Sequence, residues 1–108
     1  MRKIHIALST RDLQSSAKEY SARPRCEPCS LVADEYALWR TESINLSLRN
    51  DPNCSAGELR HLGWEDSDAQ EFSKESDVNG IVWENFRASH QADEINNMWP
   101  SAQYKPVY

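Results

Sequence analysis

This sequence has no excess of basic charge. Twelve lysines and arginines stand against seventeen aspartates and glutamates, a formal net charge of −5. Nucleic-acid binding needs a basic footprint, and no Lys/Arg cluster hides inside the acidic balance, so that class of partner is excluded. Long apolar runs are missing too: none approaches membrane-spanning length, and no membrane partner is expected. Met1-Arg2-Lys3 is basic, but no apolar stretch follows it, so no secretion signal is read. Cysteine is sparse and odd in number, three residues in all. In a chain without a secretion signal that points to free thiols in a reducing cytoplasm. Low-complexity segments are absent as well. What remains is an ordinary globular composition, 27% charged and 39% hydrophobic, over 108 residues. That predicts one domain with a real though thin core.

Periodicity then orders the elements. Residues 3–9 alternate, with Ile4, Ile6 and Leu8 on one face and His5, Ala7 and Ser9 on the other, which predicts a strand. Ser9 to Asp12 has the spacing of a capping box, and Leu13, Ala17 and Tyr20 form an apolar stripe, so a helix is predicted over 11–22, stopped by Pro24. A second strand is expected over 26–33. A hairpin follows over 36–41 and 43–49, joined near Thr41 and Glu42. Residues 50–57 are a polar loop punctuated by Pro52 and Gly57, the best boundary between two half-domains. Strands are expected at 58–65 and 81–86, the latter entered through the turn Asp77-Val-Asn-Gly80. Residues 66–76 read either as a helical turn or as a strand centred on Phe72. A helix over 88–99 is ended by Pro100.

Three residues in these strands carry possible chemistry: His5, His61 and Glu84. Two imidazoles and a carboxylate on separate strands can form a facial triad that suits Fe(II), Mn(II) or Zn(II) and leaves positions open for water or substrate. Their separations along the chain, 56 residues and then 23, are too long for a local motif. The triad therefore depends on the fold. Cys26-Glu-Pro-Cys29 precedes a strand rather than opening a helix, so it lacks the dipole that activates a redox pair. With Cys54 as the sole further thiol it does not complete a zinc site, and the cysteines are read as structural or incidental. Arg40 and Arg49 are either solvated strand residues or contacts for an anionic substrate. Trp39 and Trp83 are expected to pack against helices, and His90 to lie at the surface.

Several segments together resemble a known family. His5-Ile-Ala-Leu-Ser-Thr-Arg-Asp-Leu13, with Tyr20 on the helix and Cys26-Glu-Pro28 opening the next strand, looks like the first module of the vicinal oxygen chelate superfamily. That superfamily includes glyoxalase I, extradiol dioxygenases and bleomycin-resistance proteins. His61-Leu-Gly-Trp-Glu65 looks like the opening strand of its second module. Asp77-Val-Asn-Gly-Ile-Val-Trp-Glu-Asn-Phe86 is similar to its closing hairpin, of the form D-P-D-G-x-x-W-E-x-F/Y. Within the superfamily the hairpin over 36–49 looks most like the cadmium- and arsenic-induced branch.

The resemblance implies an α+β fold. A βαβββ module over about 1–50 and a reduced β-rich half over about 57–100 would form one curved, mostly antiparallel sheet of the glyoxalase/dioxygenase type, with a C-terminal helix. It places the metal ligands at His5, His61 and Glu84, and Asn45 where glyoxalases carry a Glu. Asn45, Arg49 and Arg40 become the substrate-binding candidates; no catalytic acid or base is assigned. The implied cofactor is a divalent ion (Fe, Mn, Zn or Ni) and the implied partner a small molecule, in a cytoplasmic homodimer acting as a metal-dependent lyase or dioxygenase. The departures are Pro24-Arg25 in place of the usual Leu-Gly, and a second module short of a helix and one strand. The helix over 88–99 would cover the surface that loss exposes. The competing implications are a metal-free binding module like the bleomycin-resistance proteins, or a non-catalytic dimer.

Overall fold

Alternation in the first strand organises the molecule. The structure is a computed structural model that describes residues 1–107. In it, β1 (Arg2–Thr10) buries His5, Ala7, Ser9 and Thr10, while Ile4, Ile6 and Leu8 on its other face are half-buried. The polar row is thus the deeper one, because a helix roofs that side. After β1 the chain forms α1 (Leu13–Ala22), β2 (Ser30–Val32), β3 (Tyr36–Arg40), β4 (Ile44–Asn50), β5 (Leu59–Asp66), β6 (Ser73–Ser76), β7 (Val82–Phe86) and α2 (Ala88–Met98), then a 3₁₀ turn over Pro100–Ala102. This is an α+β chain with one open, mixed sheet of seven strands in the order β2-β3-β4-β1-β5-β7-β6.

The sheet has a repeated pairing. β1 lies parallel to β4, which is antiparallel to β3; β5 lies parallel to β7, which is antiparallel to β6. The two sets meet where β1 and β5 pair antiparallel, His5 opposite Gly63 and Ala7 opposite His61. The pairing then jumps from Ala7–His61 to Leu8–Leu59 and leaves Arg60 as a bulge.

Each helix covers a different face. Leu13, Ala17 and Tyr20 of α1 pack on Ala37, Trp39 and Leu48. Ala92 and Ile95 of α2 pack on Tyr36 and Leu38 of β3, with Tyr104 beside them. The helix after β7 therefore does not cover the face left bare by the short second half. It crosses to the opposite face, because its apolar residues match Tyr36 and Leu38. Trp83 accordingly packs against no helix: it stacks on Trp64 and donates its indole N–H to Asp77 (2.9 Å).

Local chemistry moves several boundaries. α1 begins at Leu13 rather than at residue 11, and its cap is Asp12 rather than Ser9, because the β1 ladder continues through Thr10, paired with Asn50. The Asp12 carboxylate accepts the Ser15 N–H (3.2 Å). β2 covers three residues, not 26–33, since Pro28 has no N–H to donate to a ladder. The doubtful stretch 66–76 contains β6, which starts one residue after Phe72 rather than centring on it. The Asp66 carboxylate accepts the Asp68 N–H (2.9 Å) and holds the preceding residues in a turn. The cysteines are all free.

Candidate metal centre

His5, His61 and Glu84 share the face of the sheet beneath α2 because of the registers of β1, β5 and β7. His5 pairs with Gly63, which pairs with Glu84, so these three positions form one row. His61 lies two residues from Gly63 and points the same way. Gly63 is what lets the row close. A Cβ there would collide with the carbonyl oxygen of Glu84, so any larger residue forces β5 and β7 apart.

The donor atoms converge. His5 Nε2 is 3.0 Å from His61 Nε2, His61 Nε2 is 3.0 Å from Glu84 Oε1, and His5 Nε2 is 4.0 Å from that oxygen. Three atoms at these separations share a point about 2.0 Å from each, the length of a nitrogen or oxygen bond to a first-row divalent ion.

Proton bookkeeping supports the same conclusion. Asn45 is fully buried, and its amide makes four bonds. Nδ2 donates to Glu65 Oε1 (2.9 Å) and Gln91 Oε1 (2.7 Å), while Oδ1 accepts from Gln91 Nε2 (3.2 Å) and faces His5 Nδ1 (2.9 Å). Glu65 is held by both nitrogens of a fork from Arg40, each at 2.8 Å, and its carboxylate can only accept. That fixes the Asn45 amide with its oxygen toward His5, so His5 Nδ1 carries the proton and Nε2 presents a lone pair. A neutral His61 has at most one proton on Nε2 for two acceptors at 3.0 Å. Three electron-rich atoms thus share at most one proton, an arrangement that a cation relieves. Arg40, Glu65, Asn45 and His5 form a relay of the kind that sets the tautomer of a metal-binding imidazole.

The surroundings tune these groups. Burial lowers the His5 pKa; the Asn45 bond and Glu84 oppose that shift, and His61 adds to it. For Glu84, burial is the largest single influence and pushes upward, but the His61 bond, the neighbouring imidazoles and Arg60 together hold the carboxyl below its usual range. The triad opens into a pocket. Its floor is the sheet, and Gln91, Glu94, Ile95 and Met98 of α2 form one wall.

The other candidates divide. Arg49 lines this pocket. Asn45 lies behind His5 with every bond used, so it orients the imidazole and presents nothing to a bound molecule. Arg40 lines a different cavity, with its guanidinium committed to Glu65 and to the Val107 carbonyl (2.9 Å). Arg60 also lines the triad's pocket. Strict alternation places it on the face opposite His61; the bulge at that position turns it inward. Gln91 and Glu94 reach the site because α2 crosses to this face, which no local pattern signals. A scan against protein-family models finds no match for this chain, and neither does a search of curated proteins.

Proposed function

We propose that this chain is a small metal-dependent enzyme of the vicinal oxygen chelate type. In this reading His5, His61 and Glu84 hold a divalent ion, and the substrate reaches it through neighbouring oxygens. The observation that carries the reading is the convergence of three lone-pair donors from three strands, one of them locked in its tautomer by Asn45. The parallel–antiparallel pairing of β1, β4 and β3, repeated by β5, β7 and β6, supports a full module followed by a reduced one. Fe(II), Mn(II), Zn(II) or Ni(II) would supply Lewis acidity and, for iron, oxygen chemistry. The protein's own contribution is to fix the donors, exclude water beneath α2 and orient the substrate.

Binding to the folded state alone stabilises it by mass action. Each ion is therefore to be titrated into chelator-treated protein made without a polyhistidine tag, with the Tm followed. At 100 times the dissociation constant the gain is about 2.7 kcal/mol. His61→Ala removes this gain and leaves the metal-free melt little changed. Melts unmoved by all four ions overturn the metal reading. The metal-free binding module then stands in its place, favoured by the aromatic rings of Tyr36, Phe72, Phe86 and Trp99 in the pocket.

A homodimer belongs to the same proposal. Ile6, Leu62, Trp64 and Trp83 lie on the face that α1 leaves bare in the second half, each half-buried within the single chain. Symmetric pairing would cover them. Light scattering that returns the 12.4 kDa monomer at high micromolar concentration overturns it.

A further inference from the structure

Two arginines enter the pocket without a carboxylate partner. Arg49 and Arg60 both line it, and neither makes an ion pair within 4.0 Å among the described residues. The contrast is Arg40, which the same fold buries and pairs fully with Glu65. Arg49 is placed over the ring of Trp99, 5.7 Å from its centroid. Arg60 is turned inward by the bulge in β5. Both are half-buried. Holding like charges together in a partly dry pocket costs stability unless an anion joins them.

The charge balance of the pocket gives the sign of its occupant. Glu84 and Glu94 offset Arg49 and Arg60, so the lining is formally neutral, and a divalent ion on the triad makes it doubly positive. The remaining wall is apolar: Tyr36, Phe72, Phe86, Ile95, Met98 and Trp99.

We propose that the pocket takes a small organic acid, an apolar body carrying a carboxylate or phosphonate, with Arg49 and Arg60 clasping the oxyanion beside the ion site. This deepens the metal reading and rests on it for the charge of the loaded pocket. Guanidinium groups suit both head groups, because their fork matches paired oxygens. Trp99 does two jobs: its ring faces the Arg49 guanidinium and also forms part of the apolar wall.

The test is calorimetry on the full chain, metal-free and loaded with Zn(II), using benzoate, phenylphosphonate and the neutral benzamide. On the loaded protein the better acid should bind at least about ten-fold tighter than benzamide, as expected for a charge-assisted bond. Which acid that is separates the carboxylate from the phosphonate. Arg49→Gln and Arg60→Gln should each weaken the acid about ten-fold and benzamide far less. The proposal is overturned if acids and amide bind alike, or if the doubly substituted protein still binds the acid as the wild type does. Failure of the metal centre is read separately. If Zn(II) does not bind but the metal-free protein still prefers the acids, the metal reading falls and the arginine clasp stands. If the preference is lost there too, the clasp falls with it.

Discussion

The two halves of the sheet share a pairing pattern and differ in what covers them. In the first half, β3 and β4 lie between two helices. α1 buries Trp39 and Leu48 on one face, and α2 buries Tyr36 and Leu38 on the other. In the second half, β5, β7 and β6 have no helix on the α1 side, and every residue of β6 is exposed. Yet the second half supplies two of the three converging donors, His61 and Glu84. A site can therefore be shared by a well-packed half and a thin one, provided that the strand between them is held firmly. That strand is β1, and Arg40 with Glu65 ties the halves across it.

If stability resides mainly in the first half, truncating its core should be far more damaging than the matching change in the second. Trp39 is 1% exposed beneath α1, and Trp39→Ala should cost about 3–5 kcal/mol. Trp83→Ala, on the bare face, should cost no more than about 1–2 kcal/mol. Urea denaturation of both variants checks the comparison, and equal losses would remove it.

The tie between the halves is the next target. Glu65→Ala leaves Arg40 buried without its partner, and should destabilise by about 3–5 kcal/mol in the same assay. The pH dependence follows from the same pair. Burial pushes the Glu65 carboxyl upward, but the bonds from Arg40 and Asn45 win, and its folded pKa lies below the ordinary 4.5. Below pH 4.5 the unfolded chain therefore binds more protons at this group than the folded one does. Its contribution is present above that pH and is lost as pH falls through the folded value. Glu65→Gln should lack this part of the acid slope.

The relay behind the site can be broken at Asn45. Asn45→Ala frees the His5 tautomer, and affinity for a bound ion should fall about 10- to 100-fold when followed by competitive titration with a chromophoric chelator. An unchanged affinity would mean that the first half merely carries His5 and does not orient it. Gly63→Ala breaks the seam of β5 and β7 instead. Its Cβ meets the Glu84 carbonyl, and the strand shift should cost about 1–3 kcal/mol. Amide exchange should then quicken in β7 before it does in β3.

Much of this was legible from local pattern. β1 was expected at 3–9 and runs over Arg2–Thr10; β7 was expected at 81–86 and runs over Val82–Phe86. Alternation in those strands put His5 and Glu84 on definite faces. The turn Asp77–Gly80 was visible because its aspartate accepts the N–H groups of Asn79 (2.8 Å) and Ile81 (3.0 Å), and Gly80 takes a positive φ of 78°. These features depend on neighbours within a few residues. Less legible were β2 and β6, three and four residues long, where pairing rather than periodicity decides strand character.

By itself, then, the sequence determined the acidic balance, five of the seven strands (β1, β3, β4, β5 and β7), both helices and the identity of three residues able to donate to an ion. The tertiary structure alone decided that their donor atoms lie 3.0–4.0 Å apart, that Asn45 serves His5 rather than a bound molecule, and that α2 roofs the site. It also decided that Arg60 joins Arg49 in the pocket while Arg40 does not. The physical reason is register. A side chain's face follows from its own strand, but its neighbours follow from how strands far apart in the chain align. One bulge in β5, opposite the step from Ala7 to Leu8, is enough to redirect Arg60.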